Sequence, residues 1–362
     1  MSREDNIIDS IVSELNKGNK KKLAYNLAVD ESPSTVNYWI STGAPNLDMI
    51  ISNKETGGFP SGKMVLLSGL ESSGKSLIAT HALANAQKMG GIAVFIDAES
   101  SVHKLFLQGI GVDLNELVYV TTRDMEKAFK TVEQICKWAI ENDFTGPIII
   151  VMDSIAAMTL QQYNDNIGEQ VGYEGAKRAQ FISNQLPKII EDTGLHNVCL
   201  VMVTQQRQKI GAMANEFQFS EVGGLALKFY ASLHIRLKRS LKLMSKDKKD
   251  QIGLIVTAET TKNKLAPERR KVKIPVYYDR GIDYNECIYK DACDEDLFIG
   301  KTWKTYITDD GEEIKFQSME KLLELGGTEV IEEIRKKLFV KKRKYYKGEE
   351  QLLTEMENID DN

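Results

Sequence analysis

The chain has 362 residues, 42% of them hydrophobic and 27% charged, with a formal net charge of −5. That length and composition suit a soluble globular protein with one large domain and smaller appendages, and no apolar run approaches the about 20 residues that a membrane-spanning helix needs. The acidic balance does not advertise nucleic-acid binding, nor does it exclude it, because local patches decide phosphate contact.

The first residues, Met1-Ser2-Arg3-Glu4-Asp5-Asn6, lack the basic-then-apolar layout of a signal peptide. Four scattered cysteines, Cys136, Cys199, Cys287 and Cys293, suit a reducing cytoplasm rather than a disulfide framework. Cys287 and Cys293 lie near Asp291 and Asp294, but at a spacing that matches no usual zinc signature. Within residues 1–38, Ile7, Ile8, Ile11, Val12 and Leu15 recur at helical spacing and predict one amphipathic helix. Lysines and a linker, Asp30-Glu31-Ser32-Pro33-Ser34, follow it. A lone helix of this kind is expected to dock on the parent core or on a neighbouring subunit.

Between Trp39 and about Asp283, short apolar runs alternate with helical periods. Strands are predicted at residues 64–68, 92–96, 117–121, 148–152 and 198–203, each separated from the next by a helical segment. That alternation implies an α/β fold with a mostly parallel sheet. Closely spaced runs at 232–237, 254–259 and 273–277 read as antiparallel or edge additions. Beyond Tyr284 the chain becomes more charged, and a small C-terminal α+β domain is predicted over residues 284–362.

The first strand leads into Gly69-Leu70-Glu71-Ser72-Ser73-Gly74-Lys75-Ser76 and then a helical pattern, the setting that a P-loop requires. Glycines let the backbone turn tightly so that successive amides face a phosphate, and the helix N-terminus adds favourable partial charge. Lys75 would reach the β- and γ-phosphates, and the Ser76 hydroxyl would ligate Mg²⁺. The chain therefore binds a nucleoside triphosphate. A second strand ends in Asp97-Ala98-Glu99. Carboxyl ends of parallel strands face the ligand crevice, where an acid would orient the attacking water. Asp97 and Glu99 would both point inward unless the strand stops first. A third strand ends in Asp153, which reads either as a helix N-cap or as the acid that holds Mg²⁺; the P-loop favours the second role.

At residues 203–211 another strand ends in Gln205, positioned to sense a γ-phosphate, and then come Arg207 and Lys209. The aperiodic stretch to Gly223-Gly224 also holds Phe217 and Phe219. Cations among aromatics suit single-stranded nucleic acid, and a lid over a small substrate is the alternative. Lys262-Asn263-Lys264 reads by itself as solvated surface. Near the end, Arg335-Lys336-Lys337 and Lys341-Lys342-Arg343-Lys344 form a basic block ahead of an acidic tail through Glu349, Glu350, Glu355, Glu357, Asp360 and Asp361. The tail either covers a basic surface or is a frayed end beside a solvated helix face.

Together these residues resemble the RecA family of homologous-recombination ATPases. The resemblance rests on "GLESSGKS" (69–76), "FIDAE" (95–99), "VMDSIAA" (151–157), Gln205 with Arg207 and Lys209, "GGLALKFYAS" (223–232), "KNK" (262–264) and "GIDY" (281–284). The connection at residues 52–62 looks like that of the bacteriophage, UvsX-type members. The resemblance implies a RecA-like P-loop core over 39–283, a docking helix and linker over 1–38 and a small domain over 284–362. It implies a DNA-dependent ATPase that forms filaments on single-stranded DNA and catalyses homologous pairing and strand exchange in the cytoplasm, with ATP and Mg²⁺ as cofactors. Double-stranded DNA, a loading mediator and a single-strand-binding protein are the further partners.

Carried over by position, Glu99 is the base, and Gly69, Glu71, Ser72, Ser73, Gly74, Lys75, Ser76 and Asp153 hold Mg²⁺-ATP. Phe106 stacks on adenine, and Gln205 links the γ-phosphate to a second DNA loop over 206–222. A first DNA loop spans 161–172. Arg178, Arg207, Lys209, Gly223 and Gly224 are implied DNA contacts. Lys262 and Lys264 reach the ATP of a neighbouring protomer, and Lys228 and Phe229 lie at that interface. Departures are His103 where the family has an Asp, His234 in place of a common Arg, and a second loop one residue longer. A ring-forming helicase and a non-catalytic recombination mediator are the rival readings. The intact Lys75, Glu99 and Asp153 set argues against the mediator, and the GGxALKFYAS run against the helicase.

Overall fold

The computed structural model describes residues 5–19, 22–30, 34–100, 102–160, 171–208, 219–221, 224–245, 247 and 249–343. Helix α1 (Asp5–Asn16) precedes a strand pair, β1 (Trp39–Ile40) and β2 (Phe59–Pro60), which brackets α2 (Pro45–Ser52). Then come β3 (Met64–Gly69), α3 (Lys75–Lys88), β4 (Ile92–Asp97), α4 (Lys104–Ile110), β5 (Leu117–Thr121), α5 (Met125–Glu141) and β6 (Ile148–Asp153). The core continues through α6 (Val171–Leu195), β7 (Val198–Gln208), β8 (Phe219–Glu221) and α7 (Gly224–Tyr230). It closes with β9 (Leu233–Met244), β10 (Gln251–Asn263), β11 (Lys271–Tyr277) and β12 (Gly281–Ile282). Last are α8 (Tyr284–Asp294), β13 (Lys304–Ile307), β14 (Glu313–Phe316) and α9 (Met319–Lys342).

The main sheet runs β12-β11-β10-β9-β3-β7-β6-β4-β5, with β8 on the end of β7. Its β9-β3-β7-β6-β4-β5 half is parallel and its β9-β10-β11-β12 half antiparallel, as the spacing of the apolar runs predicts. Strand β3 is buried on both faces. Because side chains alternate, Val65 and Leu67 enter a core with α2 and α3, while Met64 and Leu66 enter a second core with α5, α6 and α7. At the C-terminal end Phe298, Tyr306, Phe316, Ile331 and Ile334 form a third apolar cluster, which also takes in Met49 of α2.

Strand β7 continues past 203 and Gln205 to Gln208, and two later strands are also longer than expected. The predicted strands at 232–237 and 254–259 are parts of a much longer ribbon: β9 runs on to Met244 beyond its pairing with β3, and β10 begins at Gln251. Lys238, Arg239 and Lys242 conceal that extension, because a solvated ribbon needs no apolar alternation. Helix α1 forms as predicted, but Ile7, Ile8, Ile11 and Leu15 are all exposed. The acidic tail and Lys344 lie outside the described residues. No helix among the described residues is long and apolar enough to cross a membrane.

Candidate active site

The glycines of the loop after β3 are steric requirements. A Cβ on Gly69 would stand 2.4 Å from the Leu237 carbonyl oxygen and 2.5 Å from Ser73 Oγ. Gly74 opens α3 at φ +90°, a conformation that costs glycine nothing. The buried Lys75 Nζ donates to the carbonyls of Gly69 (3.2 Å) and Leu70 (2.7 Å), which folds the loop around the ammonium. Burial lowers its pKa, and Asp153, Glu99 and Glu71 oppose that shift. Ser73 Oγ is buried without a hydrogen-bond partner. A crook too tight for side chains, a buried lysine and an unsatisfied hydroxyl fit a phosphate group.

Ser76, the second residue of α3, hydrogen-bonds the Asp153 carboxylate at the end of β6. Burial pushes the Asp153 pKa up to about 6; Ser76 and Lys75 work against this, and Glu99 and Asp97 reinforce it. One hydroxyl and one carboxylate match Mg²⁺, which takes one or two protein oxygens and completes its shell with phosphates and water. Among the described residues no group of three or more His, Cys, Asp or Glu is placed to hold a metal.

The two acids after β4 divide their work. The strand ends at Asp97, whose buried carboxylate accepts the amides of Glu99 (2.9 Å), Ser100 (2.7 Å) and Val102 (3.4 Å) and the Tyr119 hydroxyl (2.7 Å). Asp97 is thereby consumed in shaping a turn. Glu99 is half-buried; its carboxylate accepts Ser154 Oγ at 2.7 Å and Gln205 Nε2 at 3.4 Å. Glu99, Lys75, Ser76 and Asp153 are thus gathered at the carboxyl ends of β3, β4 and β6, with Gln205 of β7 level with Gly69. Sequence reading missed Asp97's turn-forming role and the parts of Tyr119 and Ser154; only the i, i+2 amide geometry of an aspartate at a strand end hinted at the first.

Beside the loop lies a cleft of about 280 Å³ lined by Ser72, Gly74, Lys75, Phe106, Tyr277 and Tyr278. Phe106 is 41% exposed there, so its ring is available to a planar base. The two tyrosines, the last residue of β11 and the one after it, were not singled out from sequence. His103 is the N-cap of α4, its Nδ1 accepting the Leu105 amide at 3.2 Å. His234 is buried and bonds Ser68.

Lys262 and Lys264 stand elsewhere. Lys262 is level with His234 and so with Leu66, about 10 Å along β3 from Gly69 and two strands aside. Its Nζ donates to the carbonyls of Lys228 and Phe229 at 2.7 Å each, capping α7. Lys264 donates its amide to Ser232, whose own amide bonds Met64 at the start of β3. The lysine pair therefore joins Lys228 and the 71%-exposed Phe229 at the opposite end of the sheet from Lys75. Of the residues expected to contact DNA, Arg178 donates to the carbonyls of Ala156 and Met158, Arg207 lies in β7, and Gly224 opens α7. Phe219 begins β8. Lys209, Phe217 and Gly223, most of the second loop and residues 161–170 of the first lie outside the described residues.

A model of the RecA N-terminal domain family matches residues 6–283. The chain is 33% identical over 296 residues to the RecA protein of Thermotoga neapolitana, covering 81% of this chain and 78% of that one. With the RecA protein of Thermotoga maritima it shares 34% over 278 residues, 76% and 74% of the two chains. The RecA protein of Crocosphaera subtropica is 33% identical over 270 residues, 74% and 73% of the two.

Proposed function

The chain belongs to the RecA family, and we infer from that membership and from its site that it is a recombinase, a DNA-dependent ATPase that assembles on DNA as a filament and carries out strand exchange in recombination and repair. The observation that carries the mechanistic reading is the convergence of Lys75, Ser76, Asp153 and Glu99 on one loop while Lys262 and Lys264 sit at the far end of the sheet.

In this reading Lys75 leaves its loop carbonyls for the β- and γ-phosphates, and the amides of residues 71–76, with the Ser73 hydroxyl, line the phosphate chain. Ser76 and Asp153 would hold Mg²⁺, which neutralises charge on the phosphate oxygens. Glu99, steadied by Ser154 and by the Asp97 turn, takes the proton of the attacking water. Gln205 donates to Glu99 from the strand that leads to the second DNA loop, so it reads the γ-phosphate on behalf of DNA. Phe106 packs on the adenine. Lys262 and Lys264 stabilise transferred charge on the ATP of an adjoining protomer, with Phe229 and Lys228 at that junction. Arg178, Arg207, Lys209, Gly223 and Gly224 serve the DNA.

We divide the chain into a docking segment (1–38), an ATPase core (39–283) and a C-terminal unit (284–362). The exposed isoleucines of α1 give the first of these a face for a neighbouring protomer. We place the protein nearest the bacteriophage UvsX-type members on the connection at residues 52–62. It would act in the cytoplasm, the host's where a phage encodes it, with a loading mediator and a single-strand-binding protein as partners. Electron microscopy with single-stranded DNA and a non-hydrolysable ATP analogue tests the reading: nucleotide-dependent helical filaments are expected, and closed rings or isolated monomers would overturn it.

A further inference from the structure

Gln205 and Gln206 are neighbours on β7, so their side chains leave opposite faces of the sheet. Gln205 reaches Glu99. Gln206 donates through Nε2 to Ser68 Oγ at 3.4 Å, and Ser68 Oγ shares a 2.8 Å hydrogen bond with His234 Nε2. Ser68 is fully buried, His234 nearly so, and Gln206 half-buried. Each sits at a joint. Ser68 immediately precedes Gly69, where the phosphate loop begins. Gln206 is paired with Glu221 in the short β7–β8 ladder. His234 lies in register with Leu66 on one side and with Lys262 on the other.

Ser68 and its partners play no part in the hydrolytic chemistry described above, and apolar side chains would fill the space more simply. Polar groups at such depth are costly unless paired, and a paired chain of them specifies one arrangement. A hydroxyl has a single proton to give. Its oxygen also accepts, so one hydroxyl serves both Gln206 Nε2 and His234 Nε2, and displacement of the β7–β8 ladder alters the hydrogen bonding of the residue that anchors the phosphate loop.

We propose that Ser68 is a positioning residue through which the β7–β8 ladder and strand β9 are coupled to the phosphate loop, on the sheet face opposite Gln205 and Glu99. DNA on the β7–β8 side would then raise ATP turnover by two routes, one through Gln205 to the base and one through Gln206 and Ser68 to the loop. The inference rests on the DNA-dependent ATPase reading.

The test compares Ser68→Ala, His234→Phe and the double variant with the unaltered full chain, measuring ATP turnover with and without single-stranded DNA, ATP affinity and thermal melting. Turnover without DNA and ATP affinity are expected to stay the same. Stimulation by DNA should fall about five-fold in each single variant, the lower end of usual coupling strengths, and no further in the double variant. Full stimulation in the single variants overturns the coupling. Parallel loss of DNA-free turnover or ATP affinity also overturns it, because Ser68 would then only prop the loop. A wild-type rate indifferent to DNA would instead overturn the parent reading, and this coupling with it.

Discussion

The Asp97 carboxylate accepts the Glu99 amide at 2.9 Å, so a buried acid carries the turn that presents its half-buried neighbour. Asp97→Asn replaces one acceptor oxygen with a donor facing amides and the Tyr119 hydroxyl. Turnover should drop about ten-fold with ATP affinity nearly unchanged, as expected when a catalytic group is mispositioned but still present. Glu99→Gln keeps the shape and loses the proposed base; turnover should fall by roughly 10² to 10⁴ while ATP and DNA stay bound. Steady-state ATPase assays check both, and fast hydrolysis by the Glu99→Gln protein would refute the base assignment.

Lys75→Ala removes the cation around which the loop carbonyls of Gly69 and Leu70 are gathered. Fluorescent-nucleotide titration should show binding reduced beyond detection, and filaments should no longer respond to nucleotide.

Lys262→Ala should cripple turnover even though Lys262 caps α7 far from its own phosphate loop. Mixing it with Glu99→Gln distinguishes a local role from one in the neighbouring protomer. In a randomly mixed head-to-tail assembly about a quarter of junctions pair an intact Glu99 with an intact Lys262. Activity should therefore reappear on mixing. A mixture no more active than its components would place the lysine's effect within its own subunit.

His81, on the helix that follows the phosphate loop, is buried, and its Nε2 accepts the Ile282 amide at 3.0 Å. Burial, with a smaller contribution from Lys88, pushes its pKa down to about 4. The unfolded chain thus takes up a proton near pH 6.5 that the folded chain refuses until about 4. Stability from this group is complete above 6.5 and is lost as pH falls towards 4, about 3 kcal/mol in all at 1.36 kcal/mol per unit. Urea unfolding at pH 7.5 and pH 5 should show a steeper loss for the native chain than for His81→Gln.

Much of this was legible in the sequence because the signals were local. The phosphate loop needs glycine at 69 and 74 for reasons that the packing against Leu237 and Val256 makes plain, and the parallel strands announce themselves as unbroken apolar runs. The separate tasks of Asp97 and Glu99 were not legible, since they depend on β4 stopping at Asp97 and on Tyr119 approaching from β5. Lys262 shows the limit most clearly. Its partners are 33 and 34 residues away in sequence, and as a string it looks like solvated surface. The cationic outer half of β9 defeated periodicity, because water satisfies both of its faces.

The separation of the phosphate loop from Lys262 along β3 gives each copy a direction. If the lysines serve a neighbour's nucleotide as proposed, a row of copies joined loop to lysine would end on one side with a loaded loop that nothing completes, and on the other with lysines that have no nucleotide to serve. The first terminal copy would then keep its ATP longest and the second would border a working junction, so the two tips would age at different rates. Growth at one tip and shedding at the other then need no further device than the two ends of one strand.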